Sequence, residues 1–149
     1  MLIVMPIFRI SDYQQAAAFY IDWMGFRIDW EDRPANGPLY MQVSRGSIVL
    51  HLAAHEAECD SMAMAEVNGL FALHRNLLQR NPPYPPPHLE RTTWSNKVMQ
   101  TQVTDPFGNR LVFVETCAQA PPAYRPAARR SAPTAGSLRE KSPWVWVDL

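Results

Sequence analysis

The sequence predicts an α+β fold of two βαβββ modules followed by a flexible Pro/Ala-rich C-terminal tail. Three observations carry this reading. Apolar runs bounded by Gly, Pro, Asn and Asp read as strands. One helical pattern follows the first strand of each half. Two hairpins also match across the halves. Met41-Gln-Val-Ser44 precedes Ile48-Val-Leu-His-Leu52, and Thr101-Gln-Val-Thr104 precedes Arg110-Leu-Val-Phe-Val114. A unit of roughly sixty residues that occurs twice points to a duplicated module.

In the first half, Leu2–Arg9 is a β-rich run. Ser11-Asp12-Tyr13-Gln14 reads as a capping box with Ser11 as N-cap. Ala16, Phe19, Tyr20, Trp23 and Met24 recur at helical spacing, and Gly25 stands where a helix stops. Phe26–Asp32 reads as a strand and Pro34–Gly37 as a turn. Leu39–Ser44 and Ser47–Ala53 then flank Arg45-Gly46 as a tight hairpin. In the second half, Met62–Val67 is a strand, and Asn68-Gly69 opens a helix that runs to about Arg80. The prolines from Pro82 to Pro87 end it. His88–Thr92 is a weaker strand candidate. Val98–Thr104 and Arg110–Glu115 are strong ones, joined by Asp105-Pro-Phe-Gly-Asn109, a turn with Pro early and Gly late.

Composition changes after Cys117. Residues 1–117 read as the folded domain, with modules at about 1–54 and 60–117. Residues 118–149 read as a tail rich in Pro, Ala, Ser and Arg, which buries too little apolar surface to offset the entropy of ordering it. The tail ends on Pro143-Trp-Val-Trp-Val-Asp-Leu149, where Trp and Val alternate as in a strand. Exposed clusters of this kind tend to find a partner surface.

The 149 residues carry 14 basic and 14 acidic side chains, so the net charge is zero. That argues against a nucleic-acid partner, whose phosphates demand excess cationic charge. The charge is unevenly divided. The tail carries five basic and two acidic residues, and the folded part nine and twelve. A mildly acidic domain suits a cationic ligand, and ordinary solvated charge has the same appearance. No apolar run approaches the length needed to cross a bilayer, so no membrane association is expected. Two cysteines, Cys59 and Cys117, exclude a disulfide scaffold and a four-cysteine zinc site, and a reduced, cytoplasmic location is the default.

The usual catalytic patterns are missing. There is no nucleophile elbow, no phosphate-cradling glycine loop, and no cysteine beside a basic group that would lower its pKa. Asp29, Glu31 and Asp32 lie on one strand, and strand alternation puts Asp29 and Glu31 on one face. They either attract a cation or form a solvated edge. His51 sits in an apolar strand and serves either as a ligand hydrogen-bond partner or as a core histidine. His55, beside Glu56, falls in the connector between the halves. Trp30 and Trp94 either stack on a flat ligand or pack in a core or dimer interface.

Four segments together resemble the glyoxalase/bleomycin-resistance superfamily, the vicinal oxygen chelate proteins. They are Pro6–Asp12, Ala18-Phe-Tyr20, Trp23-Met-Gly-Phe26 and Asp105–Glu115. The resemblance covers about 1–116. It implies curved four-stranded sheets forming a cup, shared in many members between the two chains of a homodimer. A homodimer, with module or tail exchange as an option, is therefore expected. Metal-bearing members draw ligands from four strand positions, which fall here on Met5, His51, Met62 and Val112. Only His51 is a competent ligand, so no metal and no other cofactor is expected. The resemblance is nearest to the metal-free bleomycin-resistance group, which has an aromatic near Trp30 and a Trp at Trp94, although Ser95 stands where that group has Gly. It implies sequestration of a planar cationic or amphipathic small molecule, such as a glycopeptide antibiotic. Trp30 and Trp94 would stack on it, Tyr40 and His51 would hydrogen-bond it, and Asp29 would offset its charge. The alternatives are a metal-dependent lyase or dioxygenase with an altered site that recruits His51, and a non-catalytic partner module that docks through its tail.

Overall fold

The computed structural model describes residues 4–54, 60–81 and 83–117. His55, Glu56, Cys59, Pro82, the first three residues and the whole tail from residue 118 lie outside the described residues.

The first module runs β1 (Ile7–Arg9), α1 (Tyr13–Ala16), β2 (Arg27–Asp32), β3 (Tyr40–Arg45) and β4 (Ile48–Ala53). The second runs β5 (Met62–Glu66), α2 (Leu70–Gln79), β6 (Leu89–Arg91), β7 (Val98–Thr104) and β8 (Arg110–Thr116). Each module builds one four-stranded sheet, in the orders β1-β4-β3-β2 and β5-β8-β7-β6. In each sheet the first strand lies parallel to the last and the remaining pairs are antiparallel. The predicted βαβββ duplication is therefore the architecture, and the two sheets form a curved cup. A groove of about 240 Å³ between the two sheets is lined by Val4 and Pro6 ahead of β1, Ile48 on β4, and Ala63 and Met64 on β5.

Strand alternation divides each sheet into two faces. On one face, Phe8, Met41, Val43, Leu50 and Leu52 join Met99, Val103, Leu111 and Phe113 in a single core with the helices. That core draws on both modules. The opposite, concave face carries Ile7, Tyr40, Gln42, Ser44 and His51 on the first sheet. On the second it carries Met62, Met64, Glu66, Val112 and Val114.

The first helix departs from expectation in two ways. Its N-cap is Asp12 rather than Ser11, because the Asp12 carboxylate accepts from the Gln15 amide at 2.7 Å. After Ala16 it continues as a π-helix over Ala17–Trp23, a wider coil than the helical spacing alone implies. Phe19, Tyr20 and Trp23 in it and Met24 at its C-cap are all buried, as the periodicity predicts. Gly25, at φ +75°, ends it.

Two arginines satisfy the carbonyls that this helix end leaves open. Arg80, at the end of α2, donates to the carbonyls of Asp22 (3.0 Å) and Trp23 (2.6 Å). Arg45, in the β3–β4 hairpin, donates to the Met24 carbonyl at 2.7 Å. Cations are also favoured at a helix C-terminus by the backbone dipole. Burial, and then the neighbouring Arg80 charge, pulls the Arg45 guanidinium below its usual value. The second helix is capped by a side chain as well. Both Glu115 carboxylate oxygens, from β8, accept from the amides of Gly69 and Leu70 at 2.7 and 3.0 Å.

The Asp105–Asn109 turn joins the two modules. Asp105 is buried, and its carboxylate accepts from the Phe107 and Asn109 amides, the Asn109 side chain and the Tyr20 hydroxyl, all at 2.7–2.9 Å. The Asn109 side chain also donates to the Arg9 carbonyl at 2.7 Å. Burial, and then the adjacent Asp105 charge, pushes the Tyr20 phenol far above its usual pKa. The turn that carries the resemblance most specifically is thus a structural bolt.

Candidate functional site

The site grows from β3, where Tyr40, Gln42 and Ser44 alternate onto the concave face. His51 on β4 is paired with Gln42 and faces the same way. The Tyr40 hydroxyl lies 2.8 Å from His51 Nδ1. Trp30 stacks on Tyr40 at 5.7 Å and 11° between the ring planes. His51 meets both rings edge-on, at 5.7 Å from Trp30 and 5.4 Å from Tyr40. Three of the predicted ligand-binding residues therefore form one aromatic cluster. Trp30 remains 44% exposed and offers its outer face, since Tyr40 covers the inner one. His51 Nε2 is shielded from solvent and has no hydrogen-bond partner.

Asp29 reaches the same face through a β-bulge. The β2–β3 register shifts between Ile28 and Trp30, so Asp29 is the extra residue. Strict alternation would place Asp29 and Trp30 on opposite faces, and the bulge puts both on the concave side. The same shift overturns the expectation that Asp29 and Glu31 share a face. Glu31 pairs with Met41, a core position, and accepts from the Tyr13 hydroxyl at 3.0 Å.

Asp29 is held by Gln42 Nε2 at 3.0 Å, Ser44 Oγ at 2.8 Å and Arg27 Nε at 3.1 Å. The hydrogen bonds from Gln42 and then Ser44, helped by the Arg27 charge, hold its carboxyl below the usual carboxylate range despite some desolvation. The Arg27 side chain is 82% exposed. A ligand cation can therefore take its place beside Asp29. Sequence reasoning missed Gln42 and Ser44. Their signal was the polar alternation Tyr40, Gln42, Ser44 within an otherwise apolar hairpin.

Trp94 stands apart from this cluster. It lies in the β6–β7 connection, 64% exposed, on the second sheet. Ser95 orders that loop. Its carbonyl accepts from Thr92 Oγ1 at 3.0 Å, and its hydroxyl accepts from the Lys97 amide at 3.2 Å. Trp30 is on β2 and Trp94 beside β6, the outer strands of the two sheets.

The four metal-site positions do not fit a catalytic divalent ion. Met5 and Met62 are exposed thioethers, Val112 is buried, and His51 alone offers a nitrogen. A catalytic site needs about three N, O or S donors suited to the ion. Among the described residues, no three His, Cys, Asp or Glu side chains come together as a metal-binding group.

No helix of the described residues is long and apolar enough to cross a membrane. No curated protein matches the sequence. Solved structures share the fold at low identity. A bleomycin-binding protein solved with bleomycin is 24% identical, with TM-score 0.61, over 78% of this chain and 99% of that one. A bleomycin resistance determinant encoded on the transposon Tn5 is 22% identical, with TM-score 0.62, over 78% and 98%. A lactoylglutathione lyase from Agrobacterium tumefaciens is 17% identical, with TM-score 0.59, over 76% and 92%. The model of a family described as glyoxalase superfamily protein matches residues 2–119. With the paired βαβββ sheets and the concave site in place, that match over most of the chain shows that it belongs to the glyoxalase superfamily.

Proposed function

We propose that this chain is a metal-free small-molecule binding protein of the bleomycin-resistance type, which sequesters a planar cationic or amphipathic ligand. The observation that carries the reading is the Trp30–Tyr40–His51 cluster beside Asp29 on one open concave face. A flat ligand stacks on the outer face of Trp30. Tyr40 and His51 supply hydrogen-bonding edges, and Asp29 offsets the ligand's charge. Sequestration needs no chemistry, only affinity and enough protein. Trp94 completes the stack when a second copy brings its second sheet opposite the first sheet of this one, so the reading includes a homodimer. It also places the protein in the cytoplasm, where it would intercept such a ligand.

Calorimetric titration with metal-free bleomycin tests this. Saturable binding tighter than about micromolar, weakened by Trp30→Ala and Trp94→Ala, is the expected result. No heat, with no competition by bleomycin for any planar ligand that does bind, removes the drug reading. One observation favours a second reading, an enzyme of the same fold that recruits His51: its Nε2 is unpartnered. Stoichiometric metal that survives dialysis, and is lost in His51→Ala, would support that reading.

A further inference from the structure

Positive charge gathers where the first helix ends. Residues 1–117 are acidic overall, with nine basic and twelve acidic side chains, yet three of the nine stand around Gly25. Arg27 and Arg45 line a hollow of about 310 Å³ together with Gly25, Ser44 and Gly46. Arg80 lies against Gly25, where a side-chain carbon would stand 3.3 Å from its Nη1. Among the described residues, neither Arg45 nor Arg80 has a carboxylate within 4.0 Å; the ion pairs join Arg27 to Asp29 and Arg33 to Glu31. Like charges held together without a counter-ion repel. The donors are also in surplus. Arg45 donates through Nη1 alone, to the Met24 carbonyl, and Arg27 through Nε alone, to Asp29 and Ser44. A guanidinium carries five N–H donors, and the others of Arg27 and Arg45 have no acceptor among the described residues.

We propose that this hollow is an oxyanion site, which takes the carboxylate or phosphate group of a small molecule between Arg27 and Arg45. The planar guanidinium fork matches two oxygens of either group. The helix-end carbonyls that would repel an anion are already covered by Arg45 and Arg80. Asp29 is the one carboxylate beside the hollow, and Gln42, Ser44 and Arg27 Nε already hold it. The cations outnumber it, so the local charge stays positive. Access is open as well. The Arg27 side chain is 82% exposed, and a side-chain carbon at Gly46 would meet nothing within 4 Å. Burial, and then the Arg80 charge, already pulls the Arg45 guanidinium below its usual value, and a bound anion would relieve both. The hollow lies at the Ser44 end of β3 and the aromatic cluster at the Tyr40 end. The oxyanion site is thus an addition to the candidate ligand site and stands without it.

The arginine Nε–H signals of the isotope-labelled full-length chain test the proposal by NMR. The chain is titrated with inorganic phosphate, and separately with acetate, at an ionic strength held constant with chloride. The Arg27 and Arg45 signals are expected to move along one saturating curve that chloride alone does not produce. Arg33, at the other end of β2 over the Tyr13 ring, should stay in place. Arg27→Gln, at an exposed position, should weaken saturation about fivefold. Arg45→Lys keeps the charge, loses the fork and should weaken it similarly. Saturation by phosphate alone assigns the site to phosphate groups, by acetate alone to carboxylates, and by both to either group. A shift that stays linear with concentration, a shift that chloride reproduces, or saturation unchanged in Arg27→Gln overturns the proposal. No planar ligand enters this titration, so its failure and a failure of bleomycin binding are separate results.

Discussion

The two modules share a topology and differ in what their sheets present. The first concave face carries rings, hydroxyls, an imidazole and a carboxylate: Trp30, Tyr40, Ser44, His51 and Asp29. The second carries thioethers and valines, Met62, Met64, Val98, Val112 and Val114, interspersed with the polar Glu66, Gln100 and Gln102. The hairpins diverge the other way. The β3–β4 turn at Arg45-Gly46 is open, whereas the β7–β8 turn is a buried hydrogen-bonded knot around Asp105. On the proposed reading a duplicated unit divides its labour: one copy would hold the recognition chemistry, while the other holds the turn that ties the modules together.

That division can be broken at the bolt first. Asp105→Ala strands the buried Tyr20 hydroxyl and the Asn109 donors. Uncompensated buried groups of this kind cost about 3–5 kcal/mol. A large fall in the urea midpoint is expected, and a shift within error would show that the turn is not the joint described. Trp30→Ala acts at the other pole. Loss of one stacking face should weaken a planar ligand about tenfold or more, with the urea midpoint nearly unchanged because Trp30 is half exposed. Calorimetry and denaturation run together separate the two effects.

Smaller changes sharpen the contrast. Tyr40→Phe keeps the stack on Trp30 and removes the partner of His51 Nδ1, which should lower stability by about 1 kcal/mol and remove one polar contact to the ligand. The smallest effect is that of pH on Asp29. Its carboxyl titrates lower in the folded chain than in the unfolded one, where an ordinary aspartate titrates near about 3.9. Its stabilising contribution is therefore complete above that value and is lost as pH falls through the lower folded one. Binding of a cationic ligand reads the folded carboxylate, so it should persist below the ordinary aspartate value of about 3.9 and weaken only as pH falls through the lower folded one, and Asp29→Asn should abolish that dependence. A titration showing the same loss in Asp29→Asn would assign the effect to another group.

Most of the fold was legible because it rests on patterns that local chemistry enforces. The β7 strand falls on Val98–Thr104 as the sequence predicts, and Gly25 and Gly46 stop a helix and turn a hairpin. The failures have physical causes. Ser11 and Asp12 are both good caps by residue type, and the bond that decides between them, from the Gln15 amide to the Asp12 carboxylate, depends on where the helix begins. A π-helix buries nearly the same residues as an α-helix, so apolar spacing does not separate the two. A bulge adds a residue without any mark in composition, so the shared face of Asp29 and Trp30 was invisible. Tyr40 and His51 could be nominated from sequence, but their bond to each other spans two strands and depends on the hairpin register.

The arginine clamp has a consequence for how the chain comes apart. Arg45 belongs to the first module and Arg80 to the second, yet both close the end of one helix, and Trp23 Nε1 donates to the Leu77 carbonyl beside them at 3.1 Å. Neither module completes that helix end alone. Denaturation of the domain should therefore proceed in a single cooperative step, with tryptophan fluorescence and circular dichroism tracing the same curve.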